Sequence, residues 1–230
     1  MIYAAYGLVF GLFIPYLARR FSKFMPATPA FALYRILKPV RSVSRAKRAG
    51  NPEYRRLMTR YRMRSIGWGI VAAAISYLAA ERFSDVYIVW YLGLIWTLLL
   101  LTEIDNRMML LPDILTVPLL IAGFAYSVFV SQWVIPAESV LGAVTGYMLP
   151  VVASAFLVWK NKDAFGGGDI KLLAALGAWL GMELVIYTMI LASVLFVLYA
   201  LARRMRVGAF GPAITIAAIM IAFYLSLIHI

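Results

Sequence analysis

The chain has 230 residues, of which 64% are hydrophobic, and its mean hydropathy is +0.87. Because soluble domains are close to half apolar, this composition predicts an all-α, polytopic membrane protein. Cysteine is absent and His229 is the only histidine, which excludes disulfides, thiolate metal sites, histidine metal clusters and Ser-His triads. We therefore predict no metal site, and hydrolytic chemistry would have to use carboxylates, hydroxyls or lysines.

The net charge of +12 comes from one segment of the chain. Residues 19–64 hold fourteen Lys or Arg and a single acidic residue, Glu53, whereas the remainder holds eight basic and nine acidic residues. The positive-inside rule predicts that this segment is cytoplasmic, where its basic side chains would attract anionic lipid headgroups. Nucleic-acid binding is the rival explanation, and we do not predict it, because membrane topology already accounts for the bias.

The apolar runs predict three parts, which are a first transmembrane helix over 1–18, a basic cytoplasmic insert over 19–65 and a helical membrane domain over 66–230. Within the third part, spans are expected over 66–80, 86–102, 114–130, 139–159 and 208–227. Short interfacial helices are expected over 33–43 and 55–64. Gly142 and Gly146, four residues apart, predict a face that packs closely on another helix.

The apolar run over 170–201 would be about 48 Å long as one straight helix, whereas a single crossing needs about 30 Å. A single crossing would also leave the three arginines that follow it outside, against the positive-inside rule. We therefore predict a turn at Gly181, between a rising arm over 170–180 and a returning arm over 182–201. With this turn the chain has about eight membrane segments.

Two acidic residues are expected to meet at the cytoplasmic edge of the membrane. Asp105 ends one span and Asp169 begins the rising arm, and the chain crosses once in each direction between them. Two close carboxylates cannot both ionise, so they would share a proton and hydrolyse an amide, one as base and one as acid. Taken alone, Asp169 could equally be a cap of the helix that begins at Ile170.

Simpler roles explain the charged residues nearby. Asp113 precedes an apolar helix and is expected to cap it. Glu103 and Asp163 are expected to face water at the level of the headgroups. Lys171 is expected to snorkel or to pair with a neighbouring acid.

Two stretches of this sequence resemble the catalytic motifs of type IV prepilin leader peptidases. Gly166-Gly167-Gly168-Asp169-Ile170-Lys171 resembles G-x-G-D-x-K, and Asp105 to Pro118, which contains Pro112-Asp113, resembles the other catalytic segment. Residues 172–181 and 208–213 are also similar, so the resemblance covers roughly residues 99–217. It implies Asp105 and Asp169 as the catalytic pair, supported by the motif residues Gly166, Gly168, Lys171, Pro112 and Asp113.

The resemblance implies an aspartic endopeptidase of the bacterial inner membrane. Such enzymes remove the short basic leader of type IV prepilins, or of pseudopilins in type II secretion, on the cytoplasmic side. The acids Glu103, Asp113 and Asp163 would then attract the basic leader.

Many bacterial members of the family carry paired Cys-x-x-Cys motifs in the first cytoplasmic loop. They also N-methylate the new N-terminus with S-adenosylmethionine. Because this chain has no cysteine, we predict a peptidase without methyl transfer, and neither S-adenosylmethionine nor any other cofactor.

Three other interpretations stay open on the sequence alone. A presenilin-like intramembrane protease shares the G-x-G-D motif but pairs it with Tyr-Asp, whereas here Ile104 precedes Asp105. An ion-coupled transporter would use buried carboxylates near the middle of the bilayer. An inactive scaffold for pilus assembly fits the same sequence.

Overall fold

The computed structural model describes residues 1–24, 52–159, 166–204 and 208–228, and every regular element within these ranges is an α-helix. The helices are α1 (Ile2–Phe24), α2 (Pro52–Arg82), α3 (Asp85–Met108), α4 (Asp113–Phe129), α5 (Pro136–Trp159), α6 (Gly167–Arg203) and α7 (Gly211–Ile228). Five of them (α1, α2, α3, α5 and α6) are long and apolar enough to cross a membrane, whereas α4 and α7 are shorter apolar helices. The predicted class of multi-pass helical membrane protein is confirmed, and the count of eight segments stays a prediction.

The described chain forms two compact units, residues 1–78 and 79–230. In the first unit α1 packs closely on α2, because a Cβ atom on Gly7 would collide with Ser76 and one on Gly11 would collide with the backbone of Trp68. The prediction of a separate short helix over 55–64 is wrong. These residues are part of α2, which is continuous because no proline follows its first residue. The helix expected over 33–43 lies outside the described residues, and the domain boundaries at 18 and 65 stay predictions.

The second unit is built on α3, most of which is buried. The hydroxyl of Thr102 on α3 donates a hydrogen bond to Thr215 Oγ1 near the start of α7, at 2.8 Å. Towards the other end of α7, the ring of Phe223 lies 5.8 Å from that of Phe83, just before α3 begins. The helices α3 and α7 are therefore antiparallel, and α7 begins beside the C-terminal end of α3.

Aromatic side chains join α3, α4 and α6 at the opposite end of this unit. The rings of Tyr91 on α3 and Tyr126 on α4 meet edge to face at 5.6 Å. Trp179 on α6 stacks on Tyr126 at 5.2 Å and donates its indole N–H to the carbonyl oxygen of Leu119, at 2.8 Å. These contacts bury the end of α3 that lies far from Asp105.

The helix α6 turns at Gly181, where φ is +82° and ψ is 177°. Glycine adopts this conformation without the steric penalty that a Cβ atom would cause. The arm before the turn ends beside α5, since Ser139 Oγ donates to the carbonyl oxygen of Ala178 at 2.6 Å. After the turn, the ring of Phe196 meets that of Phe210, just before α7, at 5.3 Å. The second arm therefore returns to the end of the unit where α7 begins, and the predicted turn is confirmed.

Three glycines bring α5 and the first arm of α6 into backbone contact. A Cβ atom on Gly142 would collide with the carbonyl oxygen of Gly177, and one on Gly177 would collide with that of Gly142. A Cβ atom on Gly146 would collide with the carbonyl oxygen of Leu173. The order of these contacts makes the two helices antiparallel, and the predicted close-packing face is confirmed.

Candidate active site

Asp105 lies in the last turn of α3, where its side chain and its backbone are both held. The residue is 4% exposed, and its Oδ2 atom accepts a hydrogen bond from the backbone N–H of Gly211 at 2.7 Å. The helix ends at Met109, which adopts the left-handed conformation (φ +50°) and donates its N–H to the carbonyl oxygen of Asp105. The carboxyl group is thus fixed between the end of α3 and the start of α7.

Asp169 lies in the first turn of α6, whose N-cap residue is Gly166. Its Oδ1 atom is buried and has no hydrogen-bond partner among the described residues. The carboxyl groups of Asp169 and Asp105 are close enough for their charges to interact. The structure therefore brings the two predicted catalytic residues to the same end of the unit, on separate helices.

The glycines of the G-x-G-D motif have different surroundings from the glycine between them. A Cβ atom on Gly166 would lie 2.9 Å from Asp169 Oδ2, and one on Gly168 would lie 2.9 Å from Leu111 Cβ. A Cβ atom on Gly167 would meet no other described atom within 4 Å. The first glycine therefore leaves room for the carboxylate, and the third lets α6 approach the segment that follows Asp105.

Lys171 and Asp113 form an ion pair between α6 and α4. The Nζ atom lies 2.7 Å from both carboxylate oxygens, and the two side chains are 45% and 55% exposed. The prediction that Lys171 pairs with an acid is confirmed. The prediction that Asp113 caps α4 is wrong, because the N-cap residue is Pro112 and the carboxylate of Asp113 points to the lysine instead.

Glu103 does not face water, and that prediction is wrong. Its side chain is 0% exposed, and Oε1 lies 2.7 Å from the Nε atom of Arg107, one turn further along α3. A buried carboxylate in an ion pair is not available to attract a basic leader. Asp113 is engaged with a lysine, and Asp163 lies outside the described residues.

The described ranges contain no group of three or more His, Cys, Asp or Glu side chains that could hold a metal ion. The site offers two carboxyl groups whose charges interact and a backbone N–H, a set suited to proton transfer and to the activation of water. The predicted absence of S-adenosylmethionine and of other cofactors stays a prediction.

Gly211 lies in the stretch 208–213 that resembles the family, but nothing in the sequence assigns it to the site. A Cβ atom there would lie 2.7 Å from Asp105 Oδ2 and 3.1 Å from its Cγ atom. The signal in the sequence is Gly211-Pro212 at the start of an apolar run, which indicates the beginning of a helix. It carries no information about a partner 106 positions earlier in the chain.

The sequence is similar to one family of known proteins. Residues 92–201 match the profile of the type IV leader peptidase family. The chain is similar to curated proteins named prepilin leader peptidase/N-methyltransferase, among them those of Klebsiella pneumoniae (39% identity, covering 65% of this chain and 62% of the relative), Pseudomonas putida (36%, covering 70% and 58%) and Neisseria gonorrhoeae (38%, covering 54% and 46%). No solved structure matches the chain significantly.

The chain spans about half to three fifths of the length of these relatives. The segment that matches the family contains both resembling motifs and both aspartates. The similarity of this chain to the type IV leader peptidase family therefore lies in residues 92–201, which hold both candidate catalytic residues.

Proposed function

We propose that this protein is an aspartic endopeptidase that removes the short basic leader from type IV prepilins or pseudopilins. The names of its relatives support the reaction and the substrate. The observation that carries the proposal is the placement of Asp105 and Asp169 on separate helices at one end of the second unit, where Gly168 packs against Leu111. The contact between Gly168 and Leu111 explains how the two motifs that hold these residues stay together.

The reaction needs one water and one proton that the two carboxyl groups share. The ionised carboxylate takes a proton from the water as its oxygen attacks the carbonyl carbon, and the protonated carboxyl gives its proton to the carbonyl oxygen. The resulting diol then breaks its C–N bond. The first carboxyl gives its proton to the leaving nitrogen, and a diol hydroxyl returns a proton to the second, so the pair ends in its starting state.

The proposed location is the cytoplasmic face of the bacterial inner membrane. The second arm of α6 returns to the end of the unit that carries the aspartates, and it finishes at Arg203 and Arg204. Basic residues are enriched on the cytoplasmic side of membrane proteins, which supports this orientation. The basic residues within 19–65 are proposed to contact anionic lipid headgroups on the same side, rather than nucleic acid.

We propose that cleavage by this chain is not followed by methyl transfer. The support is the absence of cysteine from its sequence, since many bacterial members that also methylate carry Cys-x-x-Cys motifs. Calorimetry with S-adenosylmethionine tests this part separately. We expect no binding heat, and tight binding would contradict the proposal.

Cleavage of a purified prepilin in detergent tests the proposed reaction, with the released leader followed by mass spectrometry. We expect wild type to cut the prepilin, and Asp105→Asn and Asp169→Asn to lower the rate by at least about 100-fold. Glu183→Gln is the matched control, because Glu183 is an exposed carboxylate beside the turn of α6. Full activity in either aspartate variant would contradict the shared-proton reaction.

A further inference from the structure

The start of α7 approaches Asp105 more closely than a residue with a side chain would allow. A Cβ atom at position 211 would lie 2.7 Å from Oδ2, 3.1 Å from Cγ and 3.2 Å from Cβ of the aspartate. Carbon contacts are normally about 3.5–4.0 Å, so the carboxylate would have to rotate away and the two helices would have to separate slightly. Among the described glycines only Gly181 has a positive φ. The close approach, rather than the backbone conformation, therefore requires glycine at 211.

The backbone at Gly211 is held in place by packing around it. The hydroxyl of Thr102 donates to Thr215 Oγ1 at 2.8 Å, and the hydroxyl of Thr215 donates to the carbonyl oxygen of Leu98 at 3.3 Å, both in buried positions. On the other side, the ring of Phe210 packs edge-on against α6. The N–H of Gly211 is thus a fixed donor that does not follow the carboxylate when that group moves.

We infer that Gly211 is a positioning residue for the water-activating carboxylate, through its backbone N–H and the space that its missing side chain leaves. The inference rests on the function proposed above. A backbone N–H only donates, so its contact favours the ionised form of Asp105 over the protonated form. Asp169 Oδ1 has no hydrogen-bond partner among the described residues. Asp105 is then the group that takes the proton from water, and Asp169 is the group that gives its proton to the carbonyl oxygen.

Among the described charged groups, Asp169 on α6 interacts with Asp105. The Glu103–Arg107 pair lies on α3 with Asp105, and the Asp113–Lys171 pair joins α4 to α6. The helix α7 contains no charged residue, and its one tyrosine, Tyr224, lies near its far end. Neither ion pair includes Asp105, so altered titration of this group in a Gly211 variant would report the loss of the N–H contact.

Prepilin cleavage by the full chain in detergent, measured across pH, tests the inference with two variants. Gly211→Ala adds the colliding Cβ atom. Glycolic acid at position 211 instead replaces the N–H by an ester oxygen and adds no bulk. Gly93→Ala on α3 is the matched control, because a Cβ atom there would meet no described atom within 4 Å.

We expect Gly211→Ala to lower kcat by roughly 100-fold, since a misplaced catalytic group costs about that much. The ester should lower kcat about tenfold or more, as for the loss of one hydrogen bond to a charged group. In both variants the acidic limb of the pH profile should move to higher pH, and Gly93→Ala should behave as wild type. A kcat and a pH profile of the ester variant that equal those of wild type would overturn the inference, even if Gly211→Ala does not fold.

A second readout separates this inference from the proposed function. If the wild-type chain does not cut prepilin, the proposed function fails, and the contact is then measured without activity. The chain has five aspartates, so ¹³C-carboxyl labelling of aspartate gives a simple NMR spectrum in which Asp105→Asn identifies one signal. The Asp105 signal should titrate at higher pH in both Gly211 variants than in wild type, and equal midpoints would overturn the inference.

Discussion

The Nζ atom of Lys171 lies 2.7 Å from both carboxylate oxygens of Asp113. The lysine is two residues after Asp169, and the aspartate is eight residues after Asp105. The ion pair therefore joins the two segments that carry the candidate catalytic residues. Because both side chains are about half exposed, we expect the pair to add little to stability and to act instead on the relative position of the segments.

Removal of either partner of this pair should slow prepilin cleavage moderately. We expect Asp113→Ala and Lys171→Ala each to lower kcat/KM by at most about tenfold, and to change the free energy of unfolding by less than about 1 kcal/mol. The reversed pair, Asp113→Lys with Lys171→Asp, should recover part of the lost rate. A double-mutant cycle on kcat/KM measures the coupling, and a value of zero would show that the pair does not position the segments.

The motif glycines should respond differently to the same small change. Gly168→Ala pushes α6 away from Leu111, and we expect a loss of cleavage of roughly tenfold to 100-fold. Gly167→Ala is the control, since the added Cβ atom meets no described atom within 4 Å. The measurement is kcat for both variants beside wild type. Equal rates for the two would contradict the role assigned to the contact with Leu111.

The backbone contact between α5 and α6 should make Gly177 the glycine least tolerant of substitution. Gly177→Ala places a Cβ atom against the carbonyl oxygen of Gly142 and must separate the two helices. Overpacking of this kind costs about 1–3 kcal/mol or more. Thermal unfolding in detergent should show a clear fall in Tm for Gly177→Ala, while Gly93→Ala, in open space, should keep the wild-type Tm or raise it. A lower Tm for Gly93→Ala than for Gly177→Ala would show that the contact between Gly177 and Gly142 does not constrain the fold.

The C-terminal end of α3 should depend on the ion pair between Glu103 and Arg107. Arg107→Ala removes a hydrogen bond to a fully buried carboxylate, which is expected to cost about 1.5–3 kcal/mol. Arg107→Lys keeps the charge and should cost less. Unfolding in SDS titrations measures both variants, and an unchanged midpoint in Arg107→Ala would contradict the importance of this pair.

The order and direction of the helices could be predicted from the sequence, because they depend on the length of each apolar run and on the positions of the basic residues. The hairpin between Asp105 and Asp169 comes from two apolar runs and a short connection. The turn at Gly181 comes from a run too long for one crossing and from the arginines after it. These features need no knowledge of which residues touch.

Individual contacts could not be predicted in the same way. The part of α3 before Asp105 is apolar on almost every face, so its periodicity does not show which side packs on a neighbour. The burial of Glu103 is set by the rotation of this helix against its neighbours. The contact between Asp105 and Gly211 depends on how far α7 is shifted along α3. The buried hydrogen bond between Thr102 and Thr215 fixes this shift.

The first arm of α6, from its start to Gly181, is about 21 Å long, whereas the hydrocarbon layer is about 30 Å thick. In the proposed orientation, with its aspartate end at the headgroups, the arm stops inside the layer, where lipid cannot satisfy a peptide carbonyl. Ser139, which is 0% exposed, donates its hydroxyl proton to the carbonyl oxygen of Ala178 at this depth. A neighbouring helix, rather than lipid or water, thus satisfies this carbonyl at the turn. In the proposed orientation, contacts with α5 therefore fix how far the first arm of α6 extends into the membrane.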